Sequence, residues 1–255
     1  MNTVCHSLPL AVVCGSQFHR ILHPMNNQLQ HSIATLRQRA NDACNRAGRD
    51  PDQVQIIAVA KTKPAEAILA VRECGMMEIG ENYVQELVEK HRAIGDAVRW
   101  HFIGHLQRNK AKFIAPFVRM IHGVDSLRLA EEINRQAAQH GRVIPVLLQV
   151  NTSGEESKFG VEPSGALGLA EGMLRLPNIQ LQGLMTLAAF LDDPESVRPM
   201  FRQLRHTRDQ LQQHTGHPLP HLSMGMTNDF EVAIEEGATL VRIGTAIFGE
   251  REYAR

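Results

Sequence analysis

Lys61 follows an apolar run, Val54-Gln55-Ile56-Ile57-Ala58-Val59-Ala60, and is itself followed by Thr62-Lys63-Pro64. The run reads as a buried β-strand and the proline as the opening of a helix. Alternate side chains of a strand share a face, so Ile57, Val59 and Lys61 point the same way. A charged amine on the face of core aliphatics is costly. Such a lysine tends to lose its proton and become a nucleophile, and its usual product is a Schiff base with an aldehyde. The alternative is an ordinary solvated lysine in the loop after a strand.

Two further clusters carry chemistry, Ser223-Met224-Gly225-Met226 and Arg242-Ile243-Gly244-Thr245. Ser223 and Thr245 offer hydroxyl donors, and Gly225 and Gly244 let backbone N–H groups come close to an anion such as phosphate. The plainer reading is turn glycines with capping hydroxyls. Leu240, Arg242 and Gly244 share one strand face, opposite the aliphatic Val241 and Ile243. Arg242 therefore faces the interior, where a guanidinium needs a partner. A ring nitrogen lone pair would serve and would stay unprotonated beside it; a buried carboxylate is the alternative.

The elements that must position these residues are legible from periodicity. Strands are expected over Val54–Ala60, Glu78–Gly80, Arg99–Ile103, Met120–Val124, Pro145–Val150, Ile179–Met185, His221–Ser223 and Leu240–Ile243. Helices begin near Pro64, Asn82, Gln107, Ser126, Pro163, Pro194 and Asp229, and a last one follows Thr245. Eight strand-plus-helix units after one preliminary helix predict an α/β fold: a single closed (β/α)8 TIM barrel with one extra N-terminal helix. The functional end of such a barrel is the C-terminal end of its strands, and loops seven and eight commonly hold phosphate. All three clusters fall there. Residues 1–25 lack this periodicity and read as a disordered extension or as sequence ahead of a true start at Met25; the barrel is assigned to residues 26–255.

The composition suits one globular domain: 255 residues, 43% hydrophobic and 21% charged. Lys+Arg and Asp+Glu are both 27, so no basic footprint suggests nucleic acid or an anionic membrane. Cys5, Cys14, Cys44 and Cys74 form no Cys-x-x-Cys pair, which fits a reduced, cytoplasmic setting. No apolar stretch is long enough to span a bilayer, and Leu8–Gly15 has no preceding Lys or Arg to make it a signal peptide. His101 and His105 straddle a strand end without a completing ligand, so no metal site is expected.

Several stretches resemble the YggS/PROSC family, the pyridoxal phosphate homeostasis proteins. They are Ala58-Val59-Ala60-Lys61-Thr62-Lys63-Pro64, Gly80-Glu81-Asn82-Tyr83-Val84-Gln85-Glu86, Trp100 to Lys110, Ser223-Met224-Gly225-Met226 and Val241 to Gly249. The resemblance runs collinearly from about Asn26. It implies a barrel like the N-terminal part of bacterial alanine racemase. It further implies that Lys61 holds pyridoxal 5′-phosphate as a Schiff base, with Ser223, Gly225, Gly244 and Thr245 at its phosphate, Arg242 at its ring nitrogen and Asn82 beside the ring. The resemblance also implies a place for cofactor in transit at Lys158, which on the sequence alone reads as an ordinary loop cation. Two departures stand out: Ala60, where many members have serine, and Thr227-Asn228, where many have serine and another small residue.

The resulting expectation is a cofactor carrier that buffers pyridoxal phosphate and delivers it to apo-enzymes, rather than an enzyme. Racemisation requires a second acid/base across the ring. The racemases take a tyrosine from a further β-domain, and the only tyrosines here are Tyr83 and Tyr253. The alternatives are a pyridoxal phosphate-dependent racemase and, further off, an aldolase-like Schiff-base enzyme. A monomer is the default oligomeric state.

Overall fold

The computed structural model describes residues 23–155, 159–189 and 191–249. Its strands are β1 (Gln55–Val59), β2 (Glu78–Glu81), β3 (Arg99–Phe102), β4 (Met120–Val124), β5 (Ile144–Gln149), β6 (Ile179–Met185), β7 (His221–Ser223) and β8 (Leu240–Ile243). Each is returned to the same end by a helical crossover, so neighbours pair in parallel in chain order. The pairing of β1 with β8, with Ile57 opposite Arg242, closes the barrel. The helices are α1 (His23–Arg46), α2 (Ala65–Glu73), α3 (Val84–Ile94), α4 (Ala111–Ile114), α5 (Leu127–Gln139), α6 (Ala166–Leu174), α7 (Arg198–Thr215), α8 (Phe230–Glu235) and α9 (Thr245–Phe248).

The period-2 alternation divides the interior into two layers. Outward-facing Ala58, Ile79, Trp100, Phe102, Ile121, Val146, Leu148, Val241 and Ile243 pack under the helices in one continuous core. Inward-facing Ile57, Met120, Leu147, Met185 and Leu240 form a small separate cluster in the lumen. The rest of the lumen is polar: Glu78, His101, His122, Ser223 and Arg242 are all buried there.

Four strands, β4, β6, β7 and β8, cover the expected residues. β1 stops at Val59, which leaves Lys61 just beyond the strand. Pro163 and Pro194 open short 3-10 turns that lead into α6 and α7, because proline suits a first turn. Ser126 stands at the N-cap of α5 without a side-chain capping bond. The helix before β1 begins at His23, so it takes in three residues assigned above to the extension. Residues 1–22 lie outside the described residues. α1 packs across α8 and α9, and Arg39 and Arg46 pair with Glu231 and Glu235. Among the described residues no helix is long and apolar enough to cross a membrane.

One irregularity fixes the register of the far side. Leu181 pairs with Val146 but Gly183 with Leu147, so Gln182 is an extra residue in β6. Gly183 takes φ +154, and a Cβ there would lie 1.9 Å from the carbonyl oxygen of His221 on β7. We predict that Gly183→Ala destabilises the fold by about 3 kcal/mol or more, read from denaturant unfolding. A change within about 0.5 kcal/mol would contradict this close approach.

Candidate functional site

A cavity of about 680 Å³ opens at the C-terminal ends of the strands. That volume is in the range of small-molecule sites. A surface cleft of about 780 Å³ beside α5 is larger, but it is lined by Arg108, Arg128, Arg135 and acidic neighbours and contains none of the sequence clusters.

Lys61 lines the cavity, carried by a loop that is held on both sides. Thr62 has φ +64, the only positive φ among the described non-glycine residues. A β-branched residue is strained there, at a cost of about 1–3 kcal/mol, and persists only where its surroundings impose it. Here the Thr62 N–H donates to Glu86 Oε2 at 2.7 Å. Lys90 Nζ, from α3, donates to the Ala60 carbonyl at 2.8 Å, Glu81 Oε1 at 2.7 Å and Glu86 Oε2 at 2.9 Å. One buried ammonium thus ties β2 and α3 to the backbone immediately before the nucleophile candidate. Lys63 Nζ donates to the Phe248 carbonyl at 3.0 Å, which joins the loop to the end of α9.

Glu81 is fully buried on the helix-facing side of β2, and its Oε2 has no hydrogen-bond partner among the described residues. Burial pushes its carboxyl up to about 7, against the opposing pull of Lys90 and with a contribution from Glu86. Asn82, the next residue, lines the cavity and carries a second buried, unpartnered atom, Oδ1. Gly104 makes room for this wall: a Cβ there would lie 2.2 Å from the Asn82 carbonyl oxygen.

Arg242 forms the floor of the cavity and is 3% exposed. Its Nη1 donates to Ser223 Oγ at 2.6 Å and its Nη2 to the Thr186 carbonyl at 2.8 Å. These hydrogen-bond partners are neutral oxygens, not the carboxylate that was the alternative. Burial lowers its pKa to about 10, with Asp229 acting the other way.

Of the expected residues, Lys61, Asn82, Arg242, Gly244 and Thr245 line one cavity; Ser223 and Gly225 are not among its lining residues. The Ser223 hydroxyl is turned into the lumen, where it also meets His122 Nδ1 at 2.8 Å. Gly225 has φ +92, and a Cβ there would press on Ala233 and Phe230 at 2.6 and 2.9 Å, so packing against α8 accounts for the glycine. The hydroxyl at the cavity wall in this loop is Thr227, 3.4 Å from the Thr245 hydroxyl. The sequence signal for it was only the departure noted at 227. Lys158 lies outside the described residues.

His101 and His105 are separated as their strand position requires. His101 is buried in the lumen. His105 lines the cavity mouth, stacked on Phe159 with ring centroids 3.8 Å apart and 3.6 Å from Asp125. Tyr83 stands at the N-cap of α3, 56% exposed, and is not a lining residue.

A closed parallel barrel with a lysine just past its first strand and an arginine at the end of its eighth defines a class. Residues 28–252 match the family described as "Alanine racemase, N-terminal domain". The chain is 49% identical over 222 residues to the pyridoxal phosphate homeostasis protein of Aquifex aeolicus, covering 87% of this chain and 97% of that one. It is 40% identical over 238 residues to the protein of the same name from Escherichia coli, covering 90% and 99%. Among solved structures, PipY of Synechococcus elongatus with pyridoxal phosphate bound superposes with a TM-score of 0.76 at 33% identity, covering 87% of this chain and 100% of that one. The chain belongs to the pyridoxal phosphate homeostasis protein family, within the alanine racemase N-terminal domain class.

Two predictions concern the brace. Lys90→Ala leaves Glu81 without its counter-charge in a buried place and is expected to cost about 3–5 kcal/mol in denaturant unfolding. Glu81 is raised in the folded chain from 4.5 to about 7. Its contribution to stability is therefore complete below pH 4.5 and is lost as the pH rises to about 7. Glu81→Gln is expected to flatten that interval of the stability–pH profile; an unchanged slope would argue against it.

Proposed function

We propose that this chain binds pyridoxal 5′-phosphate at the barrel mouth through Lys61 and serves the homeostasis of that cofactor, buffering it and delivering it to apo-enzymes. The observation that carries the reading is the convergence of Lys61, Asn82, Arg242 and Thr245 on one cavity from three different strand ends. The cavity's donor set also fits the cofactor. An amine meets an aldehyde, a buried guanidinium meets a ring nitrogen, and two hydroxyls with the first turn of α9 meet a phosphate. The unpartnered Asn82 Oδ1 supplies an acceptor beside them. When bound, the cofactor supplies an electrophilic aldehyde and a heteroaromatic ring.

Each residue has a separable task. The Thr62 and Lys90 contacts hold the Lys61 backbone where its amine addresses the cavity. Arg242 donates toward the ring nitrogen and opposes its protonation. Thr245, Thr227 and Gly244 face the phosphate. Ser223 acts from beneath, through Arg242, rather than on the phosphate itself.

A carrier reading is preferred to a racemase because the named relatives are homeostasis proteins. Tyr83 does not line the cavity, and Tyr253 lies outside the described residues. One observation favours the second reading: His105, beside Asp125 at the mouth, is an acid/base candidate. Solvent deuterium exchange at the α-carbon of amino acids separates the two, and no exchange at enzyme-like rates is expected.

Borohydride treatment of the protein equilibrated with pyridoxal phosphate is expected to fix the cofactor on Lys61, located by peptide mass spectrometry, and Lys61→Ala is expected to lose both adduct and visible band while keeping its far-UV CD. A full band in that variant would remove Lys61 from the proposal. Arg242→Ala is expected to weaken binding by about 2 kcal/mol and to move the absorption of the bound form. Transfer is tested by mixing loaded protein with an apo pyridoxal phosphate enzyme and following the recovery of its activity.

A further inference from the structure

Beneath the cavity floor a chain of hydrogen bonds crosses the barrel. Arg242 Nη1 reaches Ser223 Oγ at 2.6 Å. Ser223 Oγ lies 2.8 Å from His122 Nδ1, His122 Nε2 lies 2.9 Å from His101 Nδ1, and His101 Nε2 lies 2.6 Å from Glu78 Oε2. The members sit on β8, β7, β4, β3 and β2, and every one is buried. At the far end Glu78 Oε1 accepts from Gln55 Nε2 at 2.9 Å and from Arg99 Nε.

The directions of these bonds follow from counting protons. A guanidinium only donates, so Ser223 Oγ accepts from Arg242. A buried hydroxyl proton left without an acceptor is costly, so Ser223 donates to His122 Nδ1. His122 then carries its proton on Nε2 and donates to His101 Nδ1. His101 in turn carries its proton on Nε2 and donates to Glu78. Glu78 accepts three bonds and donates none, as an ionised carboxylate does. Burial, together with His101, Arg242 and His221, holds the pKa of His122 well below its ordinary value, in keeping with a neutral ring. Burial opposes the charge on Glu78, but the hydrogen bonds from His101 and Arg99 and the Arg99 charge outweigh it and keep its carboxyl below the ordinary value.

We propose that Glu78, His101, His122 and Ser223 are positioning residues that form a one-directional relay, fixing both imidazoles as neutral Nε2–H tautomers and orienting the Arg242 guanidinium at the cavity floor. The relay places a carboxylate at one end of a polarised chain and the guanidinium at the other, so the arginine is stabilised without direct ion pairing. That leaves its remaining donors for a ligand at the mouth. This role rests on the reading above, in which Arg242 addresses the ring of pyridoxal phosphate.

The test has two arms. In the full chain without ligand, labelled with 15N-histidine, NMR at neutral pH is expected to show His101 and His122 each with a protonated Nε2 and a bare Nδ1. A proton on Nδ1 of either ring, or an imidazolium at His101, overturns the relay. In protein loaded with pyridoxal phosphate, Glu78→Gln and Ser223→Ala are expected to shift the absorption band and to weaken binding about tenfold. Ser223→Thr, which keeps the hydroxyl, restores the band. An unchanged band in both Glu78→Gln and Ser223→Ala refutes the positioning role even if the folds are intact. Should the wild-type chain not bind pyridoxal phosphate, the proposed function fails, while the ligand-free tautomers still decide the relay.

Discussion

Burying a guanidinium in the lumen of a closed barrel is the constraint around which this interior is arranged. A charge taken out of water must be answered by oriented dipoles or an opposite charge. The barrel answers Arg242 with a serine hydroxyl and a carbonyl, and it connects it to the lumen carboxylate of Glu78 only through Ser223 and two imidazoles. The apolar content of the lumen is correspondingly small, five buried residues against the much larger layer between strands and helices. The strands are stabilised chiefly from outside, and the inside is given over to polar contacts.

The same division governs the second buried charge. Glu81 and Lys90 lie in the outer layer, on the face of β2 opposite Glu78, and there the ion pair is direct at 2.7 Å. Successive strand residues thus serve different ends: Glu78 looks into the lumen, Glu81 toward α3, and Asn82 begins the mouth. The alternation of a strand lets four consecutive positions and their neighbour contribute to three separate environments.

The architecture was legible because βα units announce themselves locally. Apolar runs such as Ile179–Met185 and helix openers such as Pro163 carry their signal within a few residues. Lys61, Arg242, Gly244 and Thr245 were legible because strand ends in a closed barrel converge, whereas Asn82 entered only through the family resemblance. What escaped was the orientation of single side chains in the loop after β7, where Ser223 is still in the strand and faces the lumen while Thr227 reaches the wall. The relay escaped as well, because His122 and Ser223 are 101 residues apart and no local pattern links them. Nothing in the sequence separates Lys90 from other helical cations; its three oxygen partners distinguish it.

The left-handed backbone at Thr62 carries a consequence for exchange of cargo. Because that segment is already fixed before anything arrives, occupancy of the mouth does not have to recruit or order it. If Lys61 forms the proposed Schiff base, loading and unloading then require no reordering of the backbone at this wall. For the proposed cofactor carrier, such a wall presents the same docking face to an incoming and a departing molecule.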